Sequence, residues 1–253
     1  MIKYNYNKKN IFKKEYRMVK ISNLSKSYTK GKKAVDNLSL HIKPGEIFGF
    51  IGHNGAGKTT TIKAIVGILD FEDGEIYIDG YSVKDNPIEC KSITAYIPDN
   101  PDLYEQLTGI QYLNFICDIY KVSDIQRTED ITKYSRMFEI EKNLGDLISS
   151  YSHGMKQKLA LISALARRPK LLVLDEPFVG LDPKAAFLVK EVMRKMCDDG
   201  SSIFFSTHVL EVAEKLCDHV AIIKNGKIIA NGTMEEVRGD KSLEDVFLET
   251  ANE

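Results

Sequence analysis

The feature that most constrains this chain is the glycine-rich segment 52–60, which reads GHNGAGKTT. It follows the apolar run Ile47–Ile51 and precedes a helical pattern that begins at Thr61. A strand, a glycine loop and a helix in this order are the setting that a phosphate-binding P-loop requires. Glycines let backbone N–H groups turn toward an anion, and the helix N-terminus adds partial positive charge. The segment therefore predicts a triphosphate site, whereas a glycine turn that binds nothing is disfavoured by these flanks.

The residues of this loop have separate expected roles. Lys58 is expected to reach the β- and γ-phosphates, and the hydroxyl of Thr59 is expected to ligate Mg²⁺. The spacing does not fit G-x-G-x-x-G, so a dinucleotide-binding fold is disfavoured. The phosphate cradle is expected from the rest of the loop: Gly52, Asn54, Gly55, Ala56, Gly57 and Thr60.

Composition and charge exclude several classes of protein. The chain has 253 residues, 43% of them hydrophobic, which is ample for a core, and a net charge of −1 that does not suggest nucleic acid as the main partner. No run of 18 apolar residues occurs, so we do not expect the chain to cross a membrane by itself. Met1–Arg17 is basic and has no apolar stretch, so it does not resemble a secretory signal. It is expected to be a solvated extension, with contact to anionic lipid as the alternative.

The four cysteines do not form a recognisable framework. They are Cys90, Cys117, Cys197 and Cys217, with no C-x-x-C pair and no histidine at metal-binding spacing. Free or buried thiols in a reducing compartment are therefore expected.

The order of the patterns predicts an α/β protein with a helical insertion. Short strands and turns run from Val19 to Ile51, and Leu38, Leu40 and Ile42 alternate with polar residues as in a half-buried strand. Residues 103–147 are mostly helical in pattern, with a predicted apolar stripe at Leu113, Ile116, Ile119 and Tyr120. Alternation of strands and helices resumes at Leu171, and a hairpin is predicted around Asn225-Gly226.

Two strand ends carry polar groups suited to phosphate chemistry. The apolar run Leu171–Leu174 ends in Asp175 and Glu176, and a fully apolar run is typical of a central parallel strand. Ligands bind at the carboxyl ends of such strands, so Asp175 is expected to hold Mg²⁺ and Glu176 to polarise a water. His208 also ends an apolar strand and is a candidate γ-phosphate contact. Taken alone, the Asp175-Glu176 pair would more often be a solvated strand end, and His208 would more often be structural. The P-loop upstream makes the functional interpretation the favoured one.

A further glycine-containing loop, residues 151–157, reads YSHGMKQ and precedes another helix. Ser152 is a good N-cap for that helix. Together with Gly154 and the helix N-terminus it could also form a second anion site. One triphosphate has little use for two such sites, so the second could serve the nucleotide of a partner.

These motifs together resemble the ATP-binding cassette family over nearly the whole chain, from about Val19 to Ala230. In that resemblance 52–60 is Walker A, Ser152–Gln157 is the signature loop, Leu171–Asp175 with Glu176 is Walker B, 180–183 is the D-loop and His208 is the switch histidine. Tyr28 lies where the family places an aromatic residue that stacks on adenine, although by itself it would pass as a core tyrosine.

The resemblance implies one nucleotide-binding domain over 18–253, preceded by the extension 1–17. Its expected fold class is α/β, a P-loop NTPase (RecA-like) core at 18–98 and 157–235 with an N-terminal antiparallel β region. An inserted α-helical subdomain at about 99–156 and a C-terminal tail at 236–253 complete the predicted organisation.

The sequence departs from the family pattern in two places. The usual signature is Leu-Ser-Gly-Gly-Gln, and here Tyr151, His153 and Met155 replace three of the five residues. Ser152 and Gly154 are kept, so the loop is expected to work, with His153 in a backbone position usually given to glycine. Asp99 stands where the family has a glutamine that contacts Mg²⁺ and water, and a carboxylate can also contact Mg²⁺.

The resemblance further implies ATP and Mg²⁺ as cofactors and hydrolysis by Glu176, His208 and Lys58. It implies a head-to-tail pair of ATP-binding subunits, with a homodimer expected, in which the partner's Ser152 loop closes each Walker A site. Separate transmembrane permease subunits would dock on the helical region at the cytoplasmic face of the membrane. Direct binding of nucleic acid is not expected.

Several alternatives stay open at this stage. The Asp99 loop and the tail Ser242–Glu249 look similar to exporters of drugs, peptides or lipids of the type-2 class, by analogy alone. An importer ATPase is the runner-up. A soluble cassette ATPase acting on nucleic acid or ribosomes usually has two cassettes or a long coiled-coil insertion, and this chain has neither. A regulator that does not hydrolyse ATP is disfavoured because Lys58, Glu176 and His208 are all present.

Overall fold

A computed structural model describes residues 17–29 and 31–252 of the chain. The predicted basic extension lies outside the described residues except for Arg17. The strands are β1 (Val19–Thr29), β2 (Lys32–Ile42), β3 (Ile47–Ile51), β4 (Asp73–Ile78), β5 (Tyr81–Ser82), β6 (Thr94–Ile97), β7 (Leu171–Asp175), β8 (Ser202–Thr207), β9 (His219–Lys224) and β10 (Lys227–Thr233). The α-helices are α1 (Lys58–Ile65), α2 (Pro87–Ile93), α3 (Gly109–Ile119), α4 (Asp124–Met137), α5 (His153–Leu165), α6 (Pro183–Asp198), α7 (Leu210–Leu216), α8 (Met234–Arg238) and α9 (Leu243–Asn252).

A six-stranded sheet forms the centre of the protein, in the order β10-β9-β3-β8-β7-β6. All neighbouring pairs from β9 to β6 are parallel, and only the β9–β10 hairpin is antiparallel. The predicted hairpin at Asn225-Gly226 is confirmed, because β9 ends and β10 begins on either side of these two residues. Parallel strands bring their carboxyl ends to one edge, which is where ligands of such sheets bind.

The central strands are apolar throughout because both faces of the sheet are covered. Every residue of β3, β7 and β8 is buried. In β8, Phe204 belongs to the apolar cluster shared with the N-terminal strands, whereas Phe205 belongs to the cluster shared with the helices. Successive side chains of a strand point to opposite faces, so an unbroken apolar run fills two cores at once.

A second sheet, of order β2-β1-β4-β5, is antiparallel in all its pairs. It covers one face of the central sheet, and Ile21, Leu38 and Leu40 are buried in the shared cluster. The predicted N-terminal antiparallel β region is thus confirmed, as is the α/β fold class. The domain limits at 99 and 156 stay a prediction.

The helices between β6 and β7 are well capped at their N-termini. Thr108 and Gln111 form a reciprocal capping box on α3, and the Ser123 side chain accepts from Gln126 N on α4. The predicted apolar stripe of α3 is partly wrong, because Ile119 and Tyr120 are exposed. The buried face instead runs through Tyr112, Leu113 and Cys117.

Ile119 and Tyr120 lie at the end of α3, where burial ceases for a local reason. Tyr120 is the C-cap residue, and its ring lies 3.2 Å from the guanidinium carbon of Arg167. A cation on the ring face replaces apolar packing there.

All four cysteines are free and buried, in agreement with their scattered spacing. Burial raises the pKa of Cys197 to about 12, so this thiol stays protonated at neutral pH.

Candidate nucleotide site

The predicted phosphate-site residues follow three adjacent strands of the central sheet. The glycine loop follows β3, Glu176 follows β7, and His208 follows β8, which lies between the other two. The register pairs Ile51 with Thr207 on one side of β8, and Asp175 with Ser206 on the other. Since these strands end at nearly the same level, loops far apart in the sequence meet at one edge.

The glycines of the loop are required by space as well as by conformation. Gly57 has φ +115° and caps α1, and a Cβ placed on it would lie 2.5 Å from the carbonyl oxygen of Ala34. A Cβ on Gly52 would lie 2.6 Å from the carbonyl oxygen of Ile223. A larger residue at either position would displace backbone. The loop is therefore wedged between β2 and β9 in one conformation.

Lys58 lies inside the loop and is held by oxygen atoms. Its Nζ donates to the carbonyl of Gly52 at 2.7 Å and more weakly to that of His53 at 3.4 Å. The same nitrogen lies 3.2 Å from Oε1 of Glu176. Lys58 is only 6% exposed, so this charge is screened far less than a surface ion pair. The ammonium is thus positioned where the phosphates of a nucleotide are expected.

Asp175 and Thr59 bring two hard oxygen donors together. Oγ1 of Thr59 donates to Oδ2 of Asp175 at 2.8 Å, and Asp175 is 2% exposed. The other carboxylate oxygen of Asp175 accepts a hydrogen bond from the hydroxyl of Ser206. Ser206 Oγ in turn accepts from the backbone N–H of Glu176 at 3.1 Å. One serine therefore orients both members of the acidic pair.

Glu176 and His208 are in direct contact. Nδ1 of His208 lies 2.9 Å from Oε2 of Glu176, and the backbone N–H of His208 donates to the same oxygen at 3.3 Å. Glu176 has φ +49°, a conformation that is unfavourable for a side chain of this size. Such strain persists where the surrounding structure over-determines it, often at functional sites. Here the Ser206 hydrogen bonds and the Lys58 ion pair hold Glu176 in place.

Lys58, Asp175 and Glu176 line a cleft of about 350 Å³, whereas Ser206 and His208 contact these carboxylates from outside its lining. The lining residues are Tyr28, Ala34, His53, Asn54, Gly55, Gly57, Lys58, Thr59, Thr60, Asp99, Asp175 and Glu176. Tyr28 is 62% exposed at the edge of the cleft, and its hydroxyl lies 3.3 Å from Oγ1 of Thr60. An exposed ring at the mouth of a phosphate cleft is suited to stacking on a base. Asp99, after β6, adds a third carboxylate to the cleft.

The residues present fit Mg²⁺ and a nucleoside triphosphate. Mg²⁺ is usually held by one or two carboxylates together with phosphate oxygens and water. Thr59, Asp175 and Asp99 supply oxygen donors in one cleft. Among residues 17–29 and 31–252 there is no cluster of three or more His, Cys, Asp or Glu side chains that could hold a metal alone.

The predicted signature loop lies elsewhere. Ser152 caps α5 by accepting from the backbone N–H of Met155 at 3.3 Å, as the sequence predicted. Ser152 and Gly154 are not among the residues that line the cleft of their own chain. Gly154 instead faces Gly180, since a Cβ on Gly154 would lie 3.1 Å from the Gly180 carbonyl oxygen. This loop thus contacts the segment at Gly180 and does not line the cleft of its own chain.

The prediction that His153 occupies a glycine-like backbone position is wrong. His153 is the first residue of α5 and is absent from the residues of positive φ, which do include Glu176. Its ring covers Gly180, where a Cβ would lie 2.5 Å from Cδ2 of His153. Within this contact it is Gly180, with φ +79°, whose backbone conformation favours glycine.

Sequence reasoning missed two groups that lie behind the cleft, Ser206 and Tyr96. The sequence predicts a role for His208 and none for Ser206. The position of Ser206 opposite Asp175 could have been inferred if β7 and β8 are taken as adjacent parallel strands. The hydroxyl of Tyr96, on β6, is buried with no hydrogen-bond partner among the described residues. Burial, with smaller contributions from Asp175 and Asp99, raises the pKa of Tyr96 well above its usual range. Nothing in the sequence pattern marked this tyrosine.

The fold and the cleft define a P-loop ATPase cassette, and comparison with known proteins identifies its family. The model of the family described as "ABC transporter" matches residues 35–179. The chain belongs to this family.

Individual relatives agree with this assignment. The chain is 36% identical over 241 residues to the ABC-type transporter ATP-binding protein EcsA of Bacillus subtilis (strain 168), covering 93% of this chain and 97% of the relative. A solved ATP-binding subunit of an ABC transporter superposes with a TM-score of 0.88 at 34% identity, covering 92% of this chain and 99% of the other. The cassette MJ0796, solved as a dimer in a post-hydrolysis state with ADP and Pi, has a TM-score of 0.78 at 26% identity, covering 86% and 99%.

The protein is therefore an ATP-binding subunit of an ABC transporter, with ATPase activity as its enzymatic function. Within residues 17–29 and 31–252, none of the helices combines the length and the apolar character needed to cross a membrane.

Proposed function

We propose that this chain is the ATP-driven subunit of an exporter, acting as a head-to-tail dimer on separate transmembrane subunits at the cytoplasmic face of the membrane. The proposal of a dimer rests on one observation: the predicted signature loop does not line the cleft of its own chain. Lys58, Asp175 and Glu176 line the cleft, whereas Ser152 and Gly154 lie outside it. A second copy would supply its own Ser152 loop to close the cleft.

In the proposed reaction, arrival of the nucleotide rearranges the ion pair between Lys58 and Glu176. Lys58 turns to the β- and γ-phosphates, which frees Oε1 of Glu176 to accept a proton from the attacking water. His208 holds the other oxygen of Glu176 and would contact the γ-phosphate. Thr59, Asp175 and Asp99 would hold Mg²⁺, which would neutralise phosphate charge when bound. The P-loop amides and Lys58 stabilise charge that develops on the phosphates.

A mixing experiment tests whether the site is completed by a partner. Lys58→Ala removes the phosphate contact of one half-site, and Gly154→Asp places a carboxylate where the partner's phosphate is expected. Each variant alone is expected to be inactive. Mixed and allowed to exchange subunits, they form heterodimers with one intact composite site, so ATPase activity should return. If ATP is hydrolysed within a single chain, mixing restores nothing, and the proposed dimer is refuted.

An exposed aromatic and aliphatic surface supports docking of transmembrane subunits. Tyr104, Phe115, Ile119 and Tyr120 are exposed together on and before α3, and the rings of Tyr104 and Phe115 pack edge to face with centroids 5.5 Å apart. Contiguous exposed apolar patches mark interaction sites more often than isolated residues do. We name this set the α3 face.

Arg167 connects the α3 face to the strand that precedes Asp99. Its guanidinium lies on the ring of Tyr120 and donates to the carbonyl oxygens of Lys91 on α2 and of Thr94 at the start of β6. Burial lowers the pKa of Arg167, and no carboxylate partner is needed because carbonyls and a ring face hold the cation. A displacement of the α3 face on docking would therefore be transmitted through Arg167 to β6. Asp99 follows the end of β6 and lines the cleft.

Recovery of partners from native membranes tests this docking. The tagged wild-type chain is expected to retain membrane proteins, and Ile119→Glu should lose them because a charge enters an apolar interface. Ile229→Glu is the matched control, since Ile229 is also exposed but lies on the edge strand β10. Equal loss in both variants, or no membrane protein with the wild type, would contradict docking at the α3 face.

The export of a drug, peptide or lipid is supported by analogy with the Asp99 loop and the tail Ser242–Glu249. Everted membrane vesicles that contain the recovered partners provide the test. ATP added outside such vesicles should drive an exported compound into the lumen, and Glu176→Gln vesicles provide the background. ATP-dependent release of preloaded compound would instead assign an importer.

A further inference from the structure

The C-terminal helix α9 reaches the phosphate loop. The ring of Phe247 on α9 packs against the imidazole of His53, with centroids 4.6 Å apart and an angle of 56° between the planes. His53 is the second residue of the glycine-rich segment and lines the nucleotide cleft. We propose that Phe247 is a positioning residue for the nucleotide site, through which the C-terminal tail sets the affinity for ATP. This inference rests on the proposed nucleotide site.

The helix is anchored firmly enough to act as a brace. Leu243, at its first turn, is fully buried, and its N–H donates to Oε2 of Glu214 on α7 at 3.3 Å. Arg238 on α8 donates to the other oxygen of Glu214 at 2.9 Å. Ser242 and Asp245 exchange hydrogen bonds as a cap, since Ser242 Oγ donates to Asp245 Oδ2 at 2.6 Å and accepts from Asp245 N at 3.1 Å. These contacts fix both the position and the rotation of α9.

The fixed rotation aims Phe247 at the body of the protein. Residues four apart lie on the same face of a helix, so Phe247 follows Leu243. Both belong to the apolar cluster beneath the helices, Leu243 as a buried member and Phe247 as a half-buried one. Leu248, the next residue, is 53% exposed on another face. Phe247 therefore has one part of its side chain in the core and its ring against the phosphate loop.

The backbone of His53 contributes a second, weaker contact to the resting position of Lys58. The His53 carbonyl oxygen accepts from Ala56 N at 3.1 Å, which closes the loop, and from Lys58 Nζ at 3.4 Å. The ring of His53 is otherwise exposed, so a packed neighbour limits how far this backbone can move. An aromatic pair restrains its members by an amount that corresponds to about a two- to tenfold change in an equilibrium constant. Loss of the ring should therefore weaken nucleotide binding by that factor.

The test uses Phe247→Leu in the full chain, because leucine keeps the apolar volume in the core and removes the ring. The dissociation constant of a fluorescent ATP analogue and the KM for ATP are expected to rise about two- to tenfold, with kcat unchanged. Phe247→Tyr keeps the ring and should behave as wild type, as should the control Leu248→Ala. Unaltered affinity in Phe247→Leu would overturn the proposal. So would a fall in kcat with a lower unfolding temperature, which would indicate a purely structural role.

A double-mutant cycle assigns the effect to the ring contact. In a His53→Ala background, Phe247→Leu should have no further effect on the dissociation constant, because the contact is already lost. Independent, multiplying effects of the two substitutions would contradict coupling through this pair. If the wild-type chain does not bind the analogue, the proposed nucleotide site itself is refuted. If the wild type binds it normally and Phe247→Leu binds it equally well, only the role of Phe247 is refuted.

Discussion

The nucleotide cleft and the signature loop are both built at a helix N-terminus, yet they differ in how complete they are. In and beside the cleft, a lysine, two adjacent carboxylates and a histidine are joined within one chain by an ion pair and by hydrogen bonds. The signature loop has a capped helix start whose neighbour is Gly180 of the same chain. Groups suited to binding and chemistry are thus already assembled in one chain, whereas the proposed function leaves closure of the site to a second copy.

The largest expected effect separates chemistry from binding within the cleft. Glu176→Gln keeps the shape of the side chain and removes the base, so turnover should fall by about 10²–10⁴-fold. ATP binding should persist, and the unhydrolysed nucleotide should favour a stable dimer. Phosphate release, analogue binding and size-exclusion chromatography with ATP measure the three quantities. Glu191→Gln, at an exposed position of α6, is the control. Near-normal hydrolysis by Glu176→Gln would refute the role of Glu176.

An intermediate effect tests the other half of the comparison. Ser152→Ala should lower turnover by roughly 10- to 100-fold by removing a hydroxyl contact to a charged phosphate. It should leave nucleotide affinity of the isolated chain unchanged, because Ser152 does not line its own cleft.

Ser123→Ala is a closely matched control for this variant. Ser123 caps α4 with a hydrogen bond of 3.3 Å, the same length as that of Ser152 on α5. Both substitutions lose a cap that stabilises by about 1 kcal/mol, so unfolding temperatures should fall alike. Equal turnover in the two variants would mean that Ser152 is only a cap.

The smallest of these effects concerns the support of the acidic pair. Ser206→Ala removes the hydroxyl that orients Asp175 and accepts from Glu176 N, so turnover should fall by about tenfold and the Mg²⁺ concentration needed for half-maximal rate should rise. Steady-state ATPase assays over a range of Mg²⁺ measure both. Ser39→Ala, at an exposed position of β2, is the control. An unchanged Mg²⁺ dependence would remove Ser206 from the metal-supporting set.

Much of the cleft could be predicted because its signals are local. Residues 52–60 have glycines at positions where φ and space exclude other residues, and the acidic pair directly follows an unbroken apolar run. Ser206 and Tyr96 could not be singled out in this way. Their roles depend on which strands are neighbours and which side chains face the cleft, and neither is encoded in a short pattern.

The exposed end of α3 and the contact of Phe247 illustrate the same limit. Periodicity placed Ile119 and Tyr120 on the apolar stripe, but it cannot tell where the packing partner ends. The tail Ser242–Glu249 was noticeable in the sequence only as a resemblance, without a contact.

The α/β order, the phosphate loop and the pair Asp175-Glu176 can be predicted from the sequence, because each depends on neighbours along the chain. That Ser206 orients this pair, that His153 covers Gly180 and that Phe247 contacts His53 is evident only from the folded protein. The physical reason is that strand order and helix packing bring together groups that are remote in the sequence, and packing fixes their distances.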